Sequence, residues 1–133
     1  MFVDTGAWLA LSDRRDGHHE AARLRHRDLA LARRPLLTTN LVMGEAYILI
    51  RRAAGVAYAL RFLDALNQTS RLQMVFAGPG EHSLAEAILR QYADQDFSLV
   101  DAVSFAVMKG HGLRSVFGFD QHFVVAGYQL LQA

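Results

Sequence analysis

Met1-Phe2-Val3-Asp4-Thr5-Gly6-Ala7-Trp8-Leu9-Ala10 opens the chain, and its reading decides the fold. Phe2 and Val3 read as the end of a buried strand. Asp4 follows, Gly6 turns the chain, and Ala7 to Leu11 begin a helix. In open α/β sheets, ligands bind in the crevice beyond the carboxyl ends of the strands. Asp4 is therefore expected at the lip of such a crevice. A lone aspartate after an apolar run means little. Three further acids, Glu45, Asp101 and Asp120, also interrupt apolar stretches, and the four together carry the argument.

Beyond this stretch, strand and helix signals alternate. Ser12 to Gly17 is a polar break, and His18 to Ala32 reads as a helix. Pro35 to Thr39 is a second short strand. Thr39 or Asn40 can cap the next helix, Leu41 to Ala53, which Gly55 ends. Val56 to Asn67 carries Ala59, Leu60, Leu63 and Leu66 at helical spacing. Leu72 to Phe76 is a third strand, closed by Gly78-Pro79-Gly80 as a turn. Glu81 to Tyr92 is helical, and Asp94 to Phe97 breaks it. Ser98 caps a helix that stops at Gly112. Ser115 to Phe119 is a fourth strand ending at Asp120, and Tyr128 to Leu131 a fifth at the edge. Such alternation implies a parallel sheet covered on both faces. Asp4 and Asp120 then point to the same edge.

Composition limits the alternatives. A chain of 133 residues fits one domain with a substantial core. Its 52% hydrophobic and 20% charged content indicates a folded globule. The absence of cysteine excludes disulfides and thiolate zinc sites and fits a reducing cytoplasm. The N-terminus lacks the basic region of a signal peptide. The longest apolar run, Leu41 to Ile50, is broken by Glu45 and falls short of the roughly 20 residues of a membrane span. Formal net charge is +1, but seven arginines lie between Arg14 and Arg34. They suit bidentate phosphate contacts, or else form a solvated helix face interleaved with Asp13, Asp16, Glu20 and Asp28.

Each acid has a structural alternative. On a helix, Glu45 has Leu41, Val42, Ile48 and Leu49 as its neighbours, so it lies on the apolar face. A desolvated carboxylate needs a cation or a donor. Arg51 and Arg52 stand six and seven positions on and do not meet it as helical neighbours. Ser98-Leu99-Val100-Asp101 resembles a capping box, which is compatible with a second role for Asp101 in the crevice. Asp120 serves equally as a turn residue, and Asp96 sits in a polar loop with Asp94. The histidines show no metal-binding pattern, and no phosphate-binding glycine loop or Gly-x-Ser-x-Gly elbow is present. Several acids converging on one point repel one another. Hard oxygen donors without sulfur suit Mg²⁺ or Mn²⁺, ions that polarise phosphoryl oxygens and activate water.

Four segments in order resemble a PIN domain, and more narrowly the VapC-type toxins of toxin–antitoxin pairs. They are Asp4-Thr5 after the terminal strand, Thr38-Thr39-Asn40 leading to Glu45, the run from Phe97 to Met108, and Phe119-Asp120-Gln121-His122-Phe123. The resemblance covers nearly the whole chain. It implies a three-layer α/β/α sandwich with a mostly parallel sheet of four to five strands, as a single PIN-like domain over residues 1–133. It implies Mg²⁺- or Mn²⁺-dependent endonucleolytic cleavage of RNA, with Asp4, Glu45, Asp101 and Asp120 as catalytic and metal-binding residues. Thr5 matches a frequent polar neighbour of the first acid. The implied partners are an RNA substrate, a small cognate antitoxin and a second copy in a homodimer, with no membrane. A catalytically silent PIN-like RNA-binding or scaffolding module is the competing class. A dehalogenase-type phosphatase, which also begins at a strand-end aspartate, needs a second aspartate where Gly6 stands.

Overall fold

The computed structural model describes residues 1–131. Five strands, β1 (Phe2–Val3), β2 (Leu36–Thr39), β3 (Leu72–Val75), β4 (Ser115–Phe117) and β5 (Gln129–Leu131), form one sheet. Their order is β3-β2-β1-β4-β5, and every neighbouring pair is parallel. Seven helices connect them: α1 (Thr5–Ser12), α2 (His19–Leu31), α3 (Asn40–Ala54), α4 (Val56–Gln68), α5 (Pro79–Gln91), α6 (Leu99–Gly110) and α7 (His122–Val125).

The strand order produces two helical layers. From β1 through β2 to β3 the chain steps outward in one direction. It then jumps back past β1 to β4 and goes on to β5. Right-handed crossovers place the helices of the two directions on opposite faces. Accordingly α1 to α4 pack on one another, while α6 packs on α5 and α7. The result is the α/β/α sandwich expected from the sequence. The direction of winding reverses between β1 and β4, and a crevice opens there beyond the strand ends.

The central strands sit in the middle of the core. Phe2, Val3, Val116 and Phe117 are wholly buried, and their lack of polar alternation follows from cover on both faces. Thr38 Oγ1, also fully buried, donates to the Val3 carbonyl at 2.9 Å and so ties β2 to β1. Thr39 Oγ1 accepts from the Val42 N–H at 3.1 Å and caps α3, leaving Asn40 inside the helix.

Some boundaries differ from the sequence reading. α1 begins at Thr5 rather than Ala7, so Gly6 lies within it. Gly78-Pro79-Gly80 is the start of α5 rather than a turn. Proline is tolerated in a first helical turn because its missing N–H has no intrahelical acceptor. The Glu81 carboxylate accepts from the Gly78 N–H at 3.1 Å and completes that end. Strand β4 stops at Phe117, and residues 122 to 125 form the one-turn helix α7.

Candidate active site

β1 delivers Asp4 to the crevice. The Asp4 N–H donates to the Phe117 carbonyl at 3.0 Å, which pins the residue against β4. Its backbone is extended (φ −92°, ψ 167°) at the N-cap position of α1, yet its carboxylate makes no capping bond. Gly118 makes the approach possible, because a Cβ there would stand 3.1 Å from the Asp4 Cβ. Asp4 is only 5% exposed. Burial pushes its carboxyl up to about 7. A backbone hydrogen bond from Thr5 opposes the rise, and the charges of Asp101, Asp120 and Glu45 add to it.

Asp101 forms the capping box its sequence suggested and also meets His122. Its N–H donates to Ser98 Oγ at 3.0 Å, and its Oδ2 accepts from the Ser98 N–H at 3.0 Å. That is the reciprocal capping box at the start of α6. The same Oδ2 lies 3.0 Å from His122 Nδ1. Asp120 follows β4, and its Oδ1 accepts from the His122 N–H at 2.9 Å, making a tight turn into α7. Glu45 projects from α3 and is half-buried rather than enclosed. Arg51 turns to the Tyr47 hydroxyl at 3.0 Å. Among the described residues no lysine or arginine forms a salt bridge with any of the four acids.

His122 is the residue the sequence reading missed. Donor atoms of Asp101, Asp120 and His122 all lie within 4.8 Å of one another. Asp4 feels the charges of Asp101, Asp120 and Glu45, but it and Glu45 stand outside that tight set. The imidazole edge meets the Phe97 ring at 5.3 Å and 74°. Burial pulls the His122 pKa down, but the hydrogen bond to Asp101 and the charges of Asp120, Asp101 and Asp96 outweigh it and hold the group above the usual histidine range. The sequence shows no metal-binding pattern among the histidines, and the structure brings His122 against two of the four acids. The available signal was Asp120-x-His122 at a strand end, where one turn brings both side chains to the same side.

The basic segment is not gathered at the acids. Arg33 and Arg34 precede β2 and so stand at the opposite edge of the sheet. Arg23 pairs with Glu20 at 2.7 Å. Arg14 and Arg23 line a groove of about 660 Å³ with Trp8, Phe62 and Leu66. Trp8 packs on Phe62, with ring centroids 5.7 Å apart, but its indole N–H is buried without a partner among the described residues. Nearer the acids, His18 stacks on Phe119 with centroids 4.1 Å apart.

The donor set fits a divalent cation. Carboxylates crowd a buried Asp4 with no lysine or arginine among the described residues paired to them, and the buried Thr5 hydroxyl beside it lacks a hydrogen-bond partner among the described residues. A cation relieves this repulsion directly.

The family model of the PIN domain matches residues 1–127. The chain belongs to the PIN domain family. Within it, this PIN domain is similar to the 23S rRNA-specific endonuclease VapC20 of Mycobacterium tuberculosis, in strains CDC 1551 / Oshkosh and ATCC 25618 / H37Rv. Identity to each is 34% over 134 residues, covering 96% of this chain and 95% of the relative. The crystal structure of M. tuberculosis VapC20, titled as a sarcin-ricin loop cleaving toxin, superposes with a TM-score of 0.85 at 30% identity. That match covers 96% of this chain and 95% of the other. A shorter match, to a copper-exporting P-type ATPase of Staphylococcus aureus, is 31% identical over 67 residues and spans only 8% of that protein.

Proposed function

We infer that this PIN domain is an endoribonuclease of the VapC type, the toxin of a toxin–antitoxin pair. The observation that carries the reading is the approach of Asp101 to Asp120 beyond the end of β4, with the buried Asp4 near enough to feel their charges and that of Glu45. These four residues are the proposed ligands of Mg²⁺ or Mn²⁺. A divalent ion held there would polarise a phosphoryl oxygen and lower the pKa of water for hydrolysis of the phosphodiester. The chain's own contribution is placement. β1 and β4 fix Asp4 and Asp120, the capping box fixes Asp101, and Gly118 keeps room for Asp4. The substrate we propose is structured ribosomal RNA, by analogy with the relative named for 23S rRNA. Purified ribosomes treated with the protein, followed by mapping of new RNA ends, test this; intact rRNA alongside cleavage of another RNA removes the substrate assignment.

The antitoxin is proposed to seat an acidic amphipathic segment in the groove between α1, α2 and α4. Its floor of Trp8, Phe62 and Leu66 is apolar, and Arg14, Arg23 and Arg61 ring it with positive charge. Reversal of Arg14 and Arg23 to glutamate should release the partner while leaving RNA cleavage intact. Loss of cleavage with the antitoxin still bound would instead make these arginines RNA contacts. We further propose one PIN-like domain over residues 1–133, a homodimer and a cytoplasmic location. In support, one core cluster runs through the sheet, α5 and α6 leave Leu84 and Leu99 exposed, and no helix among the described residues is long and apolar enough to cross a membrane.

A further inference from the structure

We propose that His122 is a direct ligand, through Nδ1, of the cation that Asp101 and Asp120 hold. The site would then be a mixed nitrogen and oxygen one that favours Mn²⁺ over Mg²⁺. This rests on the reading of the acids as a cation site and specifies its chemistry. Two donors bound at right angles about 2.1 Å from an ion stand about 3.0 Å apart. His122 Nδ1 lies 3.0 Å from Asp101 Oδ2 and 3.5 Å from Asp120 Oδ1, close to the spacing of adjacent positions around one ion.

The ring is held for this by its surroundings. The His122 N–H bond to Asp120 Oδ1 sets the turn, and Phe97 meets the imidazole edge-on. Asp101 is fixed in turn by Ser98. The pair of donors facing His122 is thus ordered by contacts that do not depend on the ion. The side chain keeps 31% of its exposure, so the Nδ1 proton shared with Asp101 can pass to solvent as an ion takes its place.

The expected consequence is a change in ion preference. Mg²⁺ takes oxygen donors and demands near-ideal octahedral geometry. Imidazole suits first-row transition ions. A site of carboxylates alone serves Mg²⁺, whereas one completed by His122 gains more from Mn²⁺.

The test uses the whole chain loaded with Mn²⁺ and pulsed electron paramagnetic resonance. The parent should show modulation from a directly bound imidazole nitrogen, and His122→Ala and His122→Gln should both lose it. By calorimetry, His122→Ala should weaken Mn²⁺ binding by about tenfold or more, the scale at which even outer partners of ligands act. Its Mg²⁺ affinity should change far less. Bound Mn²⁺ without nitrogen modulation in the parent would overturn the role of His122 and leave the carboxylate site standing. Unchanged Mn²⁺ over Mg²⁺ preference in both variants would overturn it equally. A parent that binds no Mn²⁺, or binds it equally well as Asp101→Asn, would overturn this inference together with the acid-site reading beneath it.

Discussion

Replacing Asp4 with asparagine should stabilise the metal-free protein at pH 8 and flatten its dependence on pH. The Asp4 carboxyl rises from 3.8 to about 7 on folding. Between those values the native state keeps a proton that the unfolded chain has lost. Stability from this group is therefore present in full below pH 3.8 and is lost as pH rises through about 7. A rise of about three units at 1.36 kcal/mol each amounts to about 4 kcal/mol, of which roughly two-thirds falls between pH 5 and pH 8. For a chain of this size that corresponds to a fall in Tm of roughly 10 °C. Asparagine mimics the protonated carboxyl and does not titrate. The assay is thermal unfolding by circular dichroism in EDTA from pH 5 to pH 8, with both proteins side by side. His122, raised by its acidic neighbours, contributes in the same direction. Half-buried His26, lowered first by desolvation and then by Arg71, contributes in the opposite one. Both residues are present in each protein, so the difference between the two curves isolates Asp4. Parallel curves would refute the claim that Asp4 is a strained, desolvated acid.

Three further outcomes are expected. Mn²⁺ or Mg²⁺ at about 100 times its Kd should stabilise the parent by about 2.7 kcal/mol, and Asp4→Asn should show a much smaller gain; equal gains in a thermal shift assay would count against Asp4 as a ligand. Asp101→Asn can still accept from the Ser98 N–H, so it should lose at most about 1 kcal/mol of stability and nearly all metal-dependent cleavage. Near-normal cleavage by that folded variant would return Asp101 to a capping role alone. Gly118→Ala places a methyl 3.1 Å from the Asp4 Cβ, so it should cost about 1–3 kcal/mol of overpacking and reduce cleavage. A Gly6→Ala control meets only ordinary contacts with Phe119 near 3.8 Å and should fold and cleave as the parent does.

Residues that alternate by segment made the architecture legible in the sequence. Phe2-Val3, Leu36-Leu37 and Val116-Phe117 are short apolar runs between helical patterns, and each became a central parallel strand. The position of Asp4 and Asp120 beyond strand ends also carried over, because a parallel sheet aligns those ends. The start of α5 was less visible. Gly78-Pro79-Gly80 has turn composition, and its helical outcome depends on Glu81 folding back onto the Gly78 N–H. Glu45 was expected on the apolar face of its helix, yet it is only half-buried. His122 could not be weighed from helical periodicity, since its partner Asp101 lies 21 residues earlier and meets it only when α6 and α7 pack together. The groove at Trp8 likewise needs three helices to form, and no single segment announces it.

The most direct measurement of the central claim is cleavage itself. Purified protein is incubated with ribosomes in Mn²⁺, in Mg²⁺ and in EDTA, beside folded Asp101→Asn, and new RNA ends are mapped by sequencing. The account predicts discrete internal cuts that require the divalent ion and vanish in the variant. Undiminished cutting in EDTA, the same cuts from Asp101→Asn, or no cutting of any RNA by the metal-loaded parent would contradict it.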